Sequence, residues 1–281
     1  SSASLSWTSV WVRDTPIWYP MVGAWIGSMH LQGPVTGNSP PTIYSMTQAS
    51  DTRPLIRVGH KGADHVAPGN TAASFEAALE LGVDMIEFDV MPLRDGTLVL
   101  AHDPEDALSR TPMTLTEGLD HFAADAYGDI ELDVDLKIPG YEREVVDGLR
   151  ERGLLERSLI SSNYQESLTL VRELDPDVRR GLSVPKVKRD LRSHPVLRYP
   201  AYAAVAWWRS GLPAKAERAL RRGDCEALMS HYVLVTRHLV QRVRRAGGQL
   251  YVWTVDDADR IAKLEALGVD AVITNDPRLF G

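Results

Sequence analysis

The sequence predicts a parallel (β/α)8 barrel of the TIM-barrel class, with an extra β-hairpin after the second strand and an irregular extension in front. Three observations carry this. From residue 55 onward, short apolar runs alternate with segments whose apolar residues recur at helical spacing. Once a single hairpin arm is set aside, eight such runs follow in series. Residues 54–281 also come close to the ~250 residues typical of such a barrel. An open doubly wound sheet would want a glycine-rich G-x-G-x-x-G phosphate loop, and the chain has none.

The elements read as follows. Residues 55–58 form a short apolar strand that runs into Gly59-His60. Residues 71–81 read as a helix: Phe75, Ala78 and Leu79 share a face, Asn70 or Thr71 can cap the start, and Gly82 follows as a stop. Residues 85–90 are the next strand, Arg94-Asp95-Gly96 is a turn, and 98–101 runs as a strand into His102. A parallel crossover needs about a dozen residues, more than lie between these two strands, so they should pair antiparallel. A turn centred on Asp95-Gly96 returns His102 to within a residue or two of Asp89. Six more strands are expected at 130–137, 158–162, 178–183, 227–231, 250–254 and 271–274. Helices are expected at 143–152, 165–174, 214–222, 237–246 and 257–267.

Residues 1–53 differ from the rest. They hold four of the seven tryptophans and only four charged residues, Arg13, Asp14, Asp51 and Arg53, with no sustained period. They read as an irregular, loosely ordered extension in front of a single domain at 54–281.

Composition narrows the function. A formal charge of −7 argues against a broad nucleic-acid footprint and gives no attraction to an anionic membrane surface. The single cysteine, Cys225, can form neither an internal disulfide nor a multi-cysteine metal site. Nothing approaches the ~18 apolar residues of a membrane span, and the start lacks the parts of a signal peptide. The expectation is a cytoplasmic protein without stable membrane insertion; the oligomeric state is left open.

In a parallel barrel, catalytic groups come from the C-terminal ends of the strands. That rule selects His60 and Lys61, Glu87 and Asp89, Asp135 and Lys137, and Trp253 and Thr254; the hairpin adds His102. Residues two apart on a strand share a face. Glu87 and Asp89 therefore point together, as do Asp133, Asp135 and Lys137. Charge directed into a barrel is costly unless it is paired or metal-bound, so several acids at one mouth suggest a hard divalent cation such as Mg2+ or Ca2+. Zinc fits less well without cysteines or a His-x-x-x-His pair. Asp95 reads as a turn residue, and His231, at the end of a strand, as a secondary candidate. His65, His121, His194 and His238 lack a strand-end setting.

The same residues carry a family resemblance. His60-Lys61-Gly62, Ala67-Pro68-Gly69-Asn70-Thr71, Glu87-Phe88-Asp89-Val90, His102-Asp103, Asp135-Leu136-Lys137 and Trp253-Thr254-Val255 occur in the order of the glycerophosphodiester phosphodiesterase pattern. Ile273-Thr274-Asn275-Asp276-Pro277 also resembles that family's end. The resemblance covers about residues 55–280. It implies a barrel that hydrolyses a small-molecule glycerophosphodiester to an alcohol and glycerol 3-phosphate, with one divalent cation, Mg2+ or Ca2+. It implies His60 and His102 as an acid/base pair and Glu87, Asp89 and Asp135 as metal ligands. Lys61 and Lys137 would bind phosphate, and Trp253 would line the pocket.

Three positions depart from the pattern. Lys61 stands for an arginine and loses the bidentate fork. Asp135 stands for a glutamate and reaches about one methylene less. Gly69 stands for a glutamate. Two other readings follow: a lysophospholipase D-type enzyme, if the aromatics of 1–53 and 199–208 form an acyl groove, and a non-catalytic barrel that binds phosphate esters.

Overall fold

The computed structural model describes residues 54–185 and 198–281, with the side chains of all but 198–204. The extension expected over residues 1–53 lies outside the described residues.

The chain forms the expected barrel. The strands are β1 (Ile56–Gly59), β2 (Met85–Pro92), β3 (Leu98–Leu100), β4 (Glu131–Leu136), β5 (Ser158–Ser162), β6 (Arg179–Val184), β7 (Ala227–His231), β8 (Gln249–Trp253) and β9 (Ala271–Thr274). They hydrogen-bond in the order β1-β9-β8-β7-β6-β5-β4-β2-β3, and β1 also pairs with β2. Eight parallel strands thus close on themselves, which removes their edges. Among the described strands only β3 is antiparallel, paired Val90↔Leu100 and Met91↔Val99 on the rim of β2. That register returns the chain beyond Leu100 to the level of Asp89, as the turn at Asp95-Gly96 required.

The helices are α1 (Ala72–Glu80), α2 (Pro104–Ser109), α3 (Leu115–Phe122), α4 (Glu142–Glu151), α5 (Gln165–Leu174), α6 (Arg198–Arg222), α7 (Arg237–Arg245) and α8 (Ala258–Leu267). The strands are buried on both faces, which is why they read as apolar runs rather than alternating ones. Inward-facing Val58, Met85, Leu159 and Tyr251 fill the barrel, all essentially unexposed. Outward-facing Phe88, Val134 and Ile160 meet the helices. There Phe122 of α3 stacks on Phe88 at 5.0 Å and tilts against Phe75 of α1 at 4.7 Å. Leu228, Val252 and Val272 meet α6–α8 on the other side.

Two helices went unread, and one is longer than expected. α2 is a single six-residue segment opened by Pro104 and capped by Asp103, too short to show a period. α3 has a capping box between Thr114 and Glu117. The segment expected at 214–222 is the last part of α6, which continues through Pro213. Its buried Leu212, Ala216 and Leu220 recur every four residues and hold it on the barrel. Among the described residues, no helix is long and apolar enough to cross a membrane.

Candidate active site

The turn after β1 positions the first group. Gly62 has φ +85°, and a Cβ there would meet the Ser74 backbone at 2.6 Å; a Cβ on Gly59 would lie 2.3 Å from the Gly62 carbonyl. Only glycine permits so close a reversal at both positions. The turn is stitched to β2: the Lys61 amide donates to Glu87 Oε2 at 2.8 Å, and the Gly62 amide to the Glu87 carbonyl at 3.2 Å. His60 is thereby held with Nε2 3.8 Å from Glu87 Oε2.

The β2–β4 register sets Glu87 beside Asp133 and Asp89 beside Asp135. Glu87, Asp89 and Asp135 each offer an oxygen, and these lie within 4.8 Å of one another. Lys137 Nζ contacts Asp89 Oδ1 and sits 2.5 Å from Asp135 Oδ2. Asp89 is further clamped by Asn70, which is fully buried. Asn70 Nδ2 donates to Asp89 Oδ2 at 2.8 Å, and the Asp89 amide donates to Asn70 Oδ1 at 3.0 Å. The actual N-cap of α1 is Thr71. Asn70, at φ +57°, instead orders a site carboxylate.

The electrostatics ask for a cation. Burial, then the charge of Asp89, pushes the Glu87 carboxyl well above its usual range. Burial works against the Asp89 carboxylate as well, but Lys137 and the two histidines outweigh it and hold its pKa low. Burial opposes charge on Lys137, and the surrounding Asp135 and Asp89 reverse this, raising its pKa. Lys137 alone therefore does not balance the cluster, and Glu87 is left over. Three carboxylates in surplus of positive charge are the donor set that a hard divalent cation takes. Asp133 lies deeper: burial pushes its carboxyl up to about 8, and Oδ1 finds no hydrogen-bond partner among the described residues.

A cavity of about 710 Å³ opens on this cluster. Of the residues singled out from the sequence, it is lined by His60, Glu87, His102, Asp133, Asp135, Lys137, Trp253 and Thr254. The ends of β5 and β6 add Ser161, Asn163 and Ser183. Asp89 lies just beneath the surface. Lys61 does not line the cavity, because its ammonium is turned to Asp64 Oδ2 at 2.5 Å. The glycine at 69 makes that possible: a Cβ there would lie 2.5 Å from Asp64 Oδ1, which accepts the Gly69 amide at 2.8 Å.

The two histidines sit differently. His60 is largely enclosed, and burial depresses its pKa. Its Nδ1 lies 2.5 Å from Asn275 Oδ1. His102 is half exposed, with Nδ1 3.1 Å from Asp103 Oδ2 and its amide donating to Asp106 Oδ2 at 3.0 Å. His231 does not line the cavity; its ring packs on Tyr232 and against Trp253, at 4.4 and 5.2 Å. The motifs contain Asn70 and Asn275 without marking them as partners of Asp89 and His60. Their partners lie 19 and 215 residues away, a separation no local pattern records.

The cavity and its acids agree with three kinds of likeness. The model of the glycerophosphoryl diester phosphodiesterase family matches residues 60–118 and 113–279. A glycerophosphodiester phosphodiesterase of Caldanaerobacter subterraneus subsp. tengcongensis is 28% identical over 254 residues, covering 78% of this chain and 93% of the relative. One from Arabidopsis thaliana is 26% identical over 245 residues, with 81% and 72% covered. Among solved structures, an Oleispira antarctica phosphodiesterase in complex with the product sn-glycerol-3-phosphate superposes with a TM-score of 0.59 at 24% identity, over 80% of this chain and 94% of the other. A glycerophosphodiester phosphodiesterase of Agrobacterium tumefaciens gives 0.60 at 20% identity, over 80% and 98%. At such identities these structures speak for the fold.

Proposed function

The chain belongs to the glycerophosphoryl diester phosphodiesterase family, a family of phosphoric diester hydrolases, and on that premise we propose the reaction and the role of each residue. The substrate is a glycerophosphodiester, cleaved to an alcohol and glycerol 3-phosphate. The product bound by the Oleispira relative supports this choice. What supports the roles is one observation: both histidines, Lys137 and two of the three clustered carboxylates line the same cavity.

Glu87, Asp89 and Asp135 would hold a divalent cation, which would supply Lewis acidity to a phosphoryl oxygen. Lys137, held against Asp89 and Asp135 at the wall of the same cavity, would act as a point charge that helps drain the phosphodiester's negative charge. His60 is the base. Burial keeps it neutral, and a neutral imidazole can accept the proton of the attacking hydroxyl. His102 is the acid. As the imidazolium it rests the Nδ1 proton against Asp103 and gives the proton on its other ring nitrogen to the leaving alkoxide. Trp253 forms an apolar wall whose Nε1 has no hydrogen-bond partner among the described residues. Lys61 acts on the phosphate only by leaving Asp64.

The test is a panel of glycerophosphodiesters, including glycerophosphocholine, and a long-chain lysophosphatidylcholine. Each is assayed with EDTA and with add-back of Mg2+, Ca2+ or Mn2+. Release of glycerol 3-phosphate that stops in EDTA and returns with a cation is expected. Cation binding without turnover of any diester contradicts the enzymatic reading. Turnover untouched by chelation contradicts the metal assignment, and a preference for the lysolipid moves the substrate class.

A further inference from the structure

We propose that Asn275, itself fixed by Asp256, is a positioning residue that locks His60 in the tautomer with its proton on Nδ1, so that Nε2 is kept as the acceptor beside Glu87. The inference rests on the reading of His60 as the base and adds what orients it.

Asp256 follows β8, Asn275 follows β9, and β9 neighbours β1, which delivers His60. The Val255 amide bonds the Ile273 carbonyl at 2.9 Å, so the two loops leave the barrel side by side. Asp256 then receives three donors from the β9 end. The Asn275 amide reaches Oδ1 at 2.8 Å, Thr274 Oγ1 reaches Oδ1 at 3.0 Å, and Asn275 Nδ2 reaches Oδ2 at 2.7 Å. An ionised carboxylate only accepts. The Asn275 side-chain atom facing it must therefore be the NH2, because the flipped amide would set two acceptors at 2.7 Å. The amide oxygen is thus turned to His60, 2.5 Å from Nδ1. An amide oxygen also only accepts, so Nδ1 must be the protonated nitrogen. In a neutral ring the other nitrogen then carries the lone pair.

Asp276 does not compete for this role. Its carboxylate is taken by Arg278, at 2.6 and 2.8 Å. The three-residue chain Asp256–Asn275–His60 therefore fixes in sequence an amide orientation, a tautomer and the nitrogen offered to the substrate. The same logic underlies carboxylate-oriented histidines in other hydrolases, with an amide here inserted between the acid and the ring.

The experiment uses the full chain with 15N-labelled histidine imidazoles. Long-range 1H–15N spectra report which ring nitrogen carries the proton, and His60→Ala assigns the His60 signals. The wild type should show His60 protonated on Nδ1. Asn275→Leu removes the acceptor; it should give mixed or Nε2-protonated His60 and lower kcat at least about 10-fold, with KM moved less than about 3-fold, part of the ~10²-fold a general base contributes. The double exchange Asp256→Asn with Asn275→Asp restores a donor facing an acceptor and an acceptor facing His60. It should recover the wild-type tautomer and most of kcat. Wild-type His60 protonated on Nε2 overturns the proposal, as does an Asn275→Leu variant with unchanged tautomer and kcat. So does a double exchange that folds, as judged by the remaining histidine signals, but stays as impaired as Asn275→Leu. If the tautomer behaves as stated while His60→Ala keeps full activity, the base assignment falls and the positioning stands.

Discussion

The floor and the mouth of the barrel are built from the same strands and differ in what a buried side chain does. On β2, Met85 is fully buried in the floor, while Glu87 and Asp89, two and four residues further on, point the same way and enter the mouth. Burying Met85 stabilises the fold by about 1.5–3 kcal/mol, the usual value for such a side chain. Burying Glu87 does the reverse, since its carboxyl is driven above its usual range by burial and by Asp89. A fold optimised for stability alone would carry apolar residues through to the rim. The acids mark the level at which stability yields to chemistry.

Substitutions at the two levels should therefore separate stability from turnover. The largest effect belongs to the floor. Met85→Ala should cost about 2–5 kcal/mol, measured by denaturant unfolding, with little change in turnover per folded molecule. Next come the histidines at the mouth: His60→Ala and His102→Ala should each lower kcat ~10²-fold or more with little change in melting temperature. A wild-type rate in either variant would remove that residue from the acid/base pair. A smaller effect of opposite sign is expected at Glu87. In EDTA, Glu87→Gln should raise the melting temperature, by about 2–4 °C if it relieves about 1 kcal/mol, while cation-dependent turnover is lost. A lower melting temperature would mean that the charge contributes to the fold.

The smallest effect lies below the floor, where Asp84 receives the Arg57 amide, Nε and Nη2 at 2.8–3.0 Å. Burial works against the Asp84 carboxylate, but the Arg57 hydrogen bonds outweigh it and lower its pKa. The pair's contribution is thus present above the unfolded-state carboxylate pKa and fades as pH falls through the lower folded value. Asp84→Asn should be mildly destabilised at pH 7 and match the wild type near pH 2, read from unfolding curves at both pH values. Because the pair is partly exposed, the difference should be small.

Much of this contrast was legible in the sequence, for physical reasons. Strands buried on both faces leave continuous apolar runs, and all nine were found close to their observed bounds. The short interval around Asp95-Gly96 forced the hairpin, and with it the return of His102. Strand parity put Glu87 and Asp89 together, and Asp135 with Lys137. The rest depends on distance along the chain or on space. Asn70 and Asn275 act on residues far away, and α2 is too short to carry a period. The orientation of Lys61 depends on Asp64 and on the space left at Gly69. α3 is a different case, since Thr114-Leu115-Thr116-Glu117 carries a capping-box signal in the sequence itself.

The central claim is that side chains far apart along the chain, from His60 to Lys137, meet around one cation. Titrating Mn2+ into the protein with 15N-labelled histidines tests it most directly, because the paramagnetic ion broadens nearby signals. The account predicts that the His60 and His102 imidazole signals both vanish at one equivalent of Mn2+, and that Asp135→Asn requires far more Mn2+ for the same loss. Broadening of only one of the two, or of neither while the ion is bound, would contradict it.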